Sequence, residues 1–507
     1  MKRALVLGLG HSGLAMARWL AREGWQVRVA DTRAAPPMLA TLRDELPQVP
    51  FVAGFSADLL DGVTRIALSP GLAPTQAPAQ PLLAAAKARG IDVVGEIEIF
   101  ALALARLHAE RGYTPKIVGI TGTNGKTTTT RLAGLLIERA GRSVAVAGNV
   151  APSALDSLRR RLAADDLPEV WVLELSSFQL ATTRSLMCDA AAVLNITQDH
   201  LDWHGTMEAY VRAKARILAP GTKAVLNRDD PLVFALASKK HPPITFGAGA
   251  PTHGIEYGLV RDGALTWLAL AEDVAPPARR RATASGAVSL SGDAPQHVPQ
   301  HATEVFVQRL MPIDALHPQF RARGRHNVIN VLAALALARA IGCPLAPLLR
   351  AVREYAGEPH RVERVATLDG VTYYDDSKGT NVGATVAAIE GLGSDGRRLA
   401  VILGGDGKGQ DFSPLVAPLA AHARAVALIG RDGARIGELL RDAPYPVLAC
   451  ESLAAAVSAC ASAARAGDAV VLSPACASLD MFRNYAHRSE VFIAAVNALA
   501  ARAGSSC

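Results

Sequence analysis

Short unbroken apolar runs, each ending in a glycine-rich turn and followed by apolar positions at helical spacing, recur along the chain. Ala4 to Leu7 reads as a buried strand, Gly8 to Gly13 as a turn, Leu14 to Glu23 as a helix and Gln26 to Ala30 as a second strand, which makes a βαβ unit. Near Val93-Val94-Gly95 this pattern gives way to a helical stretch, and Gly112-Tyr113-Thr114-Pro115 leads into a second start. There Lys116 to Ile120 reads as a strand, Thr127 to Ala140 as a helix, and Val170 to Leu175 and Ala191 to Ile196 as further buried strands, which implies a parallel sheet. A helix over Asn327 to Ala340 then precedes a third α/β segment with strands near Leu399 to Leu403, Ala425 to Ile429 and Ala469 to Leu472. The stretch 275–302 is rich in Pro, Ala, Ser and Gly, and is expected to be a flexible insertion without a core. Ligand sites in open α/β sheets lie beyond the carboxyl ends of the strands, so the turns that end these runs are where chemistry is expected.

Length and composition add bounds. The 507 residues suggest roughly three domains at about 150 residues each. Half of the residues are apolar, 20% are charged and 5% aromatic, as in ordinary globular enzymes. The net charge of +7 comes from scattered Arg and Lys without interleaved aromatics, which fits an acidic small substrate and argues against a nucleic-acid partner. The run Arg279 to Arg281 reads as a solvated loop. Six cysteines without a C-x-x-C pair argue against a disulfide framework or a structural zinc site and fit a reducing compartment. The apolar run after Met1-Lys2-Arg3 is broken by Gly8, Gly10 and Gly13, and no run reaches about 18 apolar residues, so neither a signal peptide nor membrane insertion is expected.

The strongest chemical signal is Gly122-Thr123-Asn124-Gly125-Lys126-Thr127-Thr128, set between a strand and a helix. Backbone N–H groups of such a loop curl around phosphate oxygens, the lysine adds a point charge at the β/γ-phosphates, and the Thr127 hydroxyl reaches a magnesium ion. The spacing departs from the strict phosphate-loop pattern because Ile120 stands where the first glycine belongs. Gly8-Leu9-Gly10-His11-Ser12-Gly13, with Asp31 further on, satisfies a dinucleotide-binding fingerprint. Its glycines suit any diphosphate at a helix N-terminus, so the turn alone leaves the nucleotide open. Glu174 and His200 end neighbouring strands and are candidates for a divalent ion, His200 with an equal claim to a structural hydrogen bond. Lys214 reads as a surface helix residue, and Asn327 and Asn330 as either a helix start or readers of a purine edge. Three later turns, around Asp376-Ser377-Lys378, Lys408 and Ser478, cluster cations and hydroxyls in a way that suits an acidic amino acid.

With the phosphate loop, Leu173-Glu174-Leu175-Ser176-Ser177-Phe178-Gln179, Asp199-His200-Leu201-Asp202, Arg325-His326-Asn327, His360-Arg361, Asp376-Ser377-Lys378 and Ser473-Pro474-Ala475-Cys476-Ala477-Ser478 in this order, nearly the whole chain resembles the Mur ligases. The resemblance implies three α/β domains: a Rossmann-like UDP-binding domain over 1–96, a central phosphate-loop ATPase domain with a parallel sheet over 97–357, and a Rossmann-like amino-acid-binding domain over 358–507. It further implies that His11, Ser12, Thr32, Arg33, Ser69 and Gly71 surround UDP, and that Asn149 and Gln179 steer the muramoyl-alanine arm. Gly122 to Thr128, with Asn327, Asn330, Arg361 and Asp376, would hold ATP. Glu174, His200, Thr127 and a carbamylated Lys214 would hold magnesium, and Lys126, Glu174, His200 and Lys214 would carry catalysis. Lys378, Thr380, Lys408, Ser478 and Leu479, with Tyr485 nearby, would position D-glutamate. Trp203, Gln198, Asp375 and Gly379 depart from the residues usual in this family.

The activity so implied is ATP-driven joining of D-glutamate to UDP-N-acetylmuramoyl-L-alanine by a cytoplasmic monomer. A sister ligase sharing the ATP loop is the near alternative, and the motifs of the first segment speak against it. A nicotinamide-dependent dehydrogenase would use Gly8 to Gly13 and Asp31 but leave the phosphate loop idle. A non-catalytic nucleotide-binding module remains the third reading.

Overall fold

The computed structural model describes residues 2–274, 304–321 and 324–504; the expected insertion over 275–302 lies outside these residues. Among the described residues the strands form three sheets. The first contains β1 (Arg3–Leu7), β2 (Gln26–Asp31), β3 (Phe51–Ala53), β4 (Arg65–Leu68) and β5 (Asp92–Val94). Its order is β3-β2-β1-β4-β5, with parallel neighbours throughout. Strand order reverses beside β1, and the glycine turn after β1 opens at that crevice, where open sheets bind ligands.

The second sheet holds nine strands: β6 (Lys116–Thr121), β7 (Val144–Gly148), β8 (Val170–Glu174), β9 (Ala190–Val193), β10 (Lys223–Asn227), β11 (Ile244–Phe246), β12 (Glu256–Asp262), β13 (Leu265–Val274) and β14 (Glu304–Pro312). Strands β6 to β12 pair in parallel, as the apolar runs predict, but β12, β13 and β14 pair antiparallel. The sheet is therefore mixed instead of purely parallel. Asp262 faces Leu265 across a two-residue turn that starts at Gly263 with φ +58°, and a positive φ there is what a tight hairpin demands. The third sheet combines β15 (Glu363–Leu368), β16 (Val371–Asp375), β17 (Leu399–Gly404), β18 (Ala423–Ile429), β19 (Val447–Ala449) and β20 (Ala469–Leu472) in the order β15-β16-β20-β17-β18-β19. Only β15 joins it antiparallel.

Element ends differ from the sequence reading where a turn takes over the chain. The first helix spans His11–Arg22 and the phosphate-loop helix Lys126–Arg139, both starting earlier than the apolar periodicity suggests, because each glycine turn runs straight into its helix. Strand β9 stops at Val193, since Asn195 leaves the ladder to accept the N–H of Thr123 through its main-chain oxygen at 2.8 Å.

The helix Glu96–Arg111 links the first sheet to the second. It carries two buried carboxylates on its first turn. Glu96 accepts the N–H of Leu155, and Glu98 accepts those of Arg184 and Ser185 and the Ser185 hydroxyl. Further along, Phe100 meets the fully buried Trp171 of β8 edge-on at 5.1 Å, so the linking helix is packed as part of the central core.

A side chain at position 13 has no space: a Cβ there would lie 1.9 Å from the carbonyl oxygen of Gly8. Gly13→Ala is expected to push the first turn off its helix and destabilise the protein by about 2 kcal/mol, read as an earlier thermal transition.

Candidate active site

At the first crevice, Asp31 at the end of β2 is 2% exposed. Its Oδ2 accepts the N–H of Leu9 at 2.7 Å, and its Oδ1 accepts the N–H and Nε–H of Arg33. Burial opposes ionisation, but the hydrogen bonds from Arg33 and from the Leu9 and Arg33 backbone outweigh it and hold the carboxyl at about 2. Asp31 is thus committed to shaping the turn and aiming Arg33, which leaves it poorly placed to take a ribose hydroxyl as a dehydrogenase would require. His11, Thr32 and Arg33 are exposed around this turn, with Ser12 and Ser69 partly so and Gly71 at the rim after β4.

The phosphate loop follows β6. Gly122 and Gly125 take φ of +152° and +82°, and a Cβ on Gly125 would lie 2.6 Å from Asn330 Oδ1, so only glycine lets the loop pass beneath that amide. Asn330 donates to Asn327 at 3.4 Å, which places both purine-edge candidates together against the loop. Asn195 clamps Asn124 by accepting its N–H at 2.8 Å and donating to its carbonyl at 3.0 Å, while Thr123 exchanges hydrogen bonds with Thr197 and Tyr210. Lys126 Nζ donates to the carbonyls of Gly122 and Thr123 at 3.0 and 2.8 Å. Thr127 and Thr128 are buried, and Thr127 Oγ1 accepts from Arg361 at 3.1 Å.

Lys214 corrects the surface reading. It is 1% exposed on the helix Met207–Ala215, and its Nζ donates to the Gly122 carbonyl at 2.7 Å. Burial, reinforced by the charge of Lys126, drives its pKa well below that of a free lysine, which favours the neutral, nucleophilic amine. Glu174 at the end of β8 is 2% exposed; Asn149 donates to its Oε1 at 2.9 Å, but its Oε2 is buried without a protein partner. An orphaned buried carboxylate oxygen needs a cation or donor. His200 takes φ +56°. Burial lowers its pKa to about 4, so its ring is neutral and keeps a lone pair at pH 7. The carboxylate oxygen, the neutral imidazole and the Thr127 hydroxyl fit a divalent cation beside the phosphate loop. Asn149 therefore sits with the Glu174 set, and Gln179 is buried in a capping box with Ser176.

The C-terminal sheet presents the remaining candidates. Asp376, the residue after β16, accepts from Ser473 at 2.7 Å, and burial pushes its carboxyl up to about 7. Lys378 lies over the Tyr485 ring at 5.2 Å; burial, aided by the charge of Arg361, lowers it to about 8. Lys408 Nζ stands 3.4 Å from Asp199 Oδ1, which carries a carboxylate to a place reserved in the sequence reading for an acidic amino acid. Thr380 is partly exposed, Ser478 buried and Leu479 open to solvent.

Four contributors escaped the sequence reading. Asp199 lies in the Asp199-His200-Leu201-Asp202 motif, Asn195 near the end of an apolar run and Asn381 just past Thr380, but nothing in spacing says that their side chains hold loops together. Arg488 lies inside the helix Tyr485–Gly504, outside any motif. It is fully buried, faces no carboxylate within ion-pair distance among the described residues, and donates to Ser377 Oγ, Ser377 O and Cys476 O. It therefore pins the Lys378 turn to the Ser478 turn.

Known proteins resemble this chain along nearly its whole length. Three family descriptions match: the Mur ligase MurD-like N-terminal domain over residues 2–95, the Mur ligase middle domain over 120–262, and the Mur ligase glutamate ligase domain over 360–476. The chain belongs to the Mur ligase family. A UDP-N-acetylmuramoylalanine--D-glutamate ligase of Ralstonia nicotianae is 55% identical over 99% of this chain and 97% of its own length. One of Burkholderia mallei is 54% identical over 99% and 98%. Among solved structures, the MurF ligase of Thermotoga maritima in complex with ADP superposes with a TM-score of 0.56 at 16% identity, covering 97% of this chain and 95% of that one. The UDP-N-acetylmuramate-alanine ligase MurC of the same organism gives 0.54 at 17%, covering 98% and 100%. These two likenesses concern the fold.

Arg488→Ala is expected to leave the carbonyls of Ser377 and Cys476 without donors and to lower stability by about 3 kcal/mol, measured as a reduced urea midpoint.

Proposed function

We propose that this protein is an ATP-dependent ligase that adds D-glutamate to UDP-N-acetylmuramoyl-L-alanine in peptidoglycan precursor synthesis. The observation that carries the reading is the phosphate loop with an orphaned Glu174 oxygen and a neutral His200 beside it, in a chain 55% identical over its length to a ligase named for that reaction. Both substrates are small molecules, and no helix among the described residues is long and apolar enough to cross a membrane.

In this reading residues 1–96 bind the UDP moiety, 97–357 bind ATP, and 358–507 bring the amino acid. The glycine turn after β1, with Ser12, Thr32 and Arg33, would hold the diphosphate, and His11, Ser69 and Gly71 would close around the uridine. Lys126, with the loop N–H groups, would draw the γ-phosphate toward the alanyl carboxylate and reduce the repulsion between the two anions. A carboxylate oxygen then attacks the γ-phosphorus, the bond to ADP breaks, and an acyl phosphate forms. Magnesium, held by Glu174, His200 and Thr127, would supply charge neutralisation at the phosphates. Lys214 fits this set only if its neutral amine takes up carbon dioxide as a carbamate, which changes a cation into an anionic oxygen ligand. Lys378 and Lys408 would take the carboxylates of D-glutamate, with Thr380, Ser478, Leu479 and Tyr485 shaping the site. The amine of D-glutamate attacks the acyl carbon and phosphate leaves with its bonding pair. Asn327, Asn330, Arg361 and Asp376 would complete the nucleotide site.

Phosphate release measured with ATP, magnesium and UDP-N-acetylmuramoyl-L-alanine is expected to depend on D-glutamate and on no L-amino acid, and Lys126→Ala is expected to abolish it. Release that is equal with several amino acids, or normal turnover in the variant, contradicts the reading. A pH effect follows from Lys378, whose ammonium form is held in place only below about 8. Because the amine loses its proton above that value, the KM for D-glutamate is expected to rise as pH passes 8. In Lys378→Arg that rise is expected to vanish up to about pH 10, since guanidinium stays charged.

A further inference from the structure

We propose that Asn381 is a positioning residue that seats the C-terminal domain on the phosphate loop through a reciprocal amide pair with Asn124, and so sets the fraction of enzyme closed for amide formation. Asn124 Nδ2 donates to Asn381 Oδ1 at 3.1 Å, and Asn381 Nδ2 donates back to Asn124 Oδ1 at 2.9 Å. The two residues lie 257 positions apart. Asn381 is 4% exposed, and every polar atom of its side chain is used. Its Oδ1 also accepts the N–H of Ala384, capping the helix Val382–Gly393, and its Nδ2 also reaches Asp199 Oδ2 at 3.4 Å. The backbones approach closely here: a Cβ on Gly383 would lie 2.8 Å from Thr197 Oγ1 and 3.4 Å from Asn124 Nδ2.

Other contacts between the same domains include Arg361 to Thr127, Lys408 to Asp199, and a long hydrogen bond of 3.4 Å from the Asp411 N–H to Gln198 Oε1. The first two use groups that the proposed function assigns to ligands, so both are exchanged as substrates arrive, and the third is at the limit of hydrogen-bond distance. The amide pair uses only side-chain amides, and the part assigned to the loop at Asn124 in holding ATP is a backbone one. Asn124 has its backbone clamped by Asn195 on its own domain, which leaves its side chain free for the other. An amide also carries donor and acceptor without charge, so the pair survives the entry of triphosphate and cation where a charged latch would be pulled apart. The pair is the persistent part of the closed interface, and the charged contacts are its exchangeable part.

This inference rests on the ligase reading for its kinetic test, but not for its structural one. Asn381→Ser keeps a good helix cap and is too short to reach Asn124. In full-length enzyme with saturating ATP and nucleotide substrate, kcat/KM for D-glutamate is expected to fall about tenfold in Asn381→Ser, as for loss of one to two net hydrogen bonds. ATP affinity by calorimetry is expected to change less than about twofold, because the loop N–H groups that cradle phosphate are untouched. The double variant with Asn124→Ala is expected to be no worse than the poorer single variant, the mark of two residues acting as one unit. Small-angle scattering of the ligand-free protein is expected to show a larger radius of gyration for Asn381→Ser than for wild type. Retention of more than half of kcat/KM, or losses that multiply in the double variant, overturns the proposal. If wild type turns over none of these substrates, the ligase reading fails, and the scattering comparison decides the latch alone: an unchanged profile overturns it. Should Asn381→Ser melt markedly early, Asn124→Ala supplies the kcat/KM and scattering comparisons with the helix cap intact.

Discussion

The carbonyl oxygen of Gly122 accepts hydrogen bonds from two lysine side chains, those of Lys126 and Lys214. Much else in the site follows from that crowding. Cations withdrawn from water need anions or oriented carbonyls around them, and here the protein's share is mostly carbonyls, with Glu174 the acidic side chain at the end of the neighbouring strand. Burial consequently lowers the pKa of Lys126, Lys214 and Lys378 alike. Such a pocket is complementary to a polyanion, and two phosphate-rich or carboxylate-rich ligands can be held in it without their mutual repulsion dominating. The same logic applies to Lys408, whose half-withdrawn cation has the Asp199 carboxylate beside it.

Legibility in the sequence tracked backbone patterning. The glycine turns at β1 and β6 were readable because glycine, strand and helix signals coincide there, and the parallel core strands because continuous apolar runs admit few other readings. The hairpin of β12 and β13 was not read from the sequence, because its strands run from buried to exposed positions and so lack the continuous apolar run that marks the central strands. For Lys214 the general rule that helix lysines face water points to the surface, and only the resemblance to the Mur ligases puts it in the site; packing against Gly122 overrides the rule. Arg488 was invisible for the reverse reason, since an arginine in an amphipathic helix announces nothing until the carbonyls that surround it are known.

The departures around the imidazole of His200 acquire a physical setting. Trp203 stacks on Phe178 at 4.8 Å, Phe178 in turn meets His200 at 4.6 Å, and Gln76 of the first domain donates to the carbonyls of Asp202 and Trp203. The indole therefore contributes to a ring-on-ring wall that fixes the imidazole, and the loop bearing it is tied to the nucleotide-sugar side of the molecule. Gln198 accepts weakly from Asp411 N at 3.4 Å and so faces the C-terminal domain instead. Nothing in the structure distinguishes Gly379 from a residue with a small side chain except its crowding: a Cβ would lie 2.5 Å from Asp376 Oδ2.

The antiparallel pair at the edge of the central sheet has its own implication. Val274 and Glu304 are direct partners across β13 and β14, so the chain leaves and re-enters the sheet at adjacent points whatever number of residues intervenes. Closing a longer excursion from fixed ends costs only about 0.6 kcal/mol for each doubling in length. Lineages are accordingly free to lengthen or trim this part of the polypeptide without disturbing a single ladder partner, and size differences among relatives are best sought there.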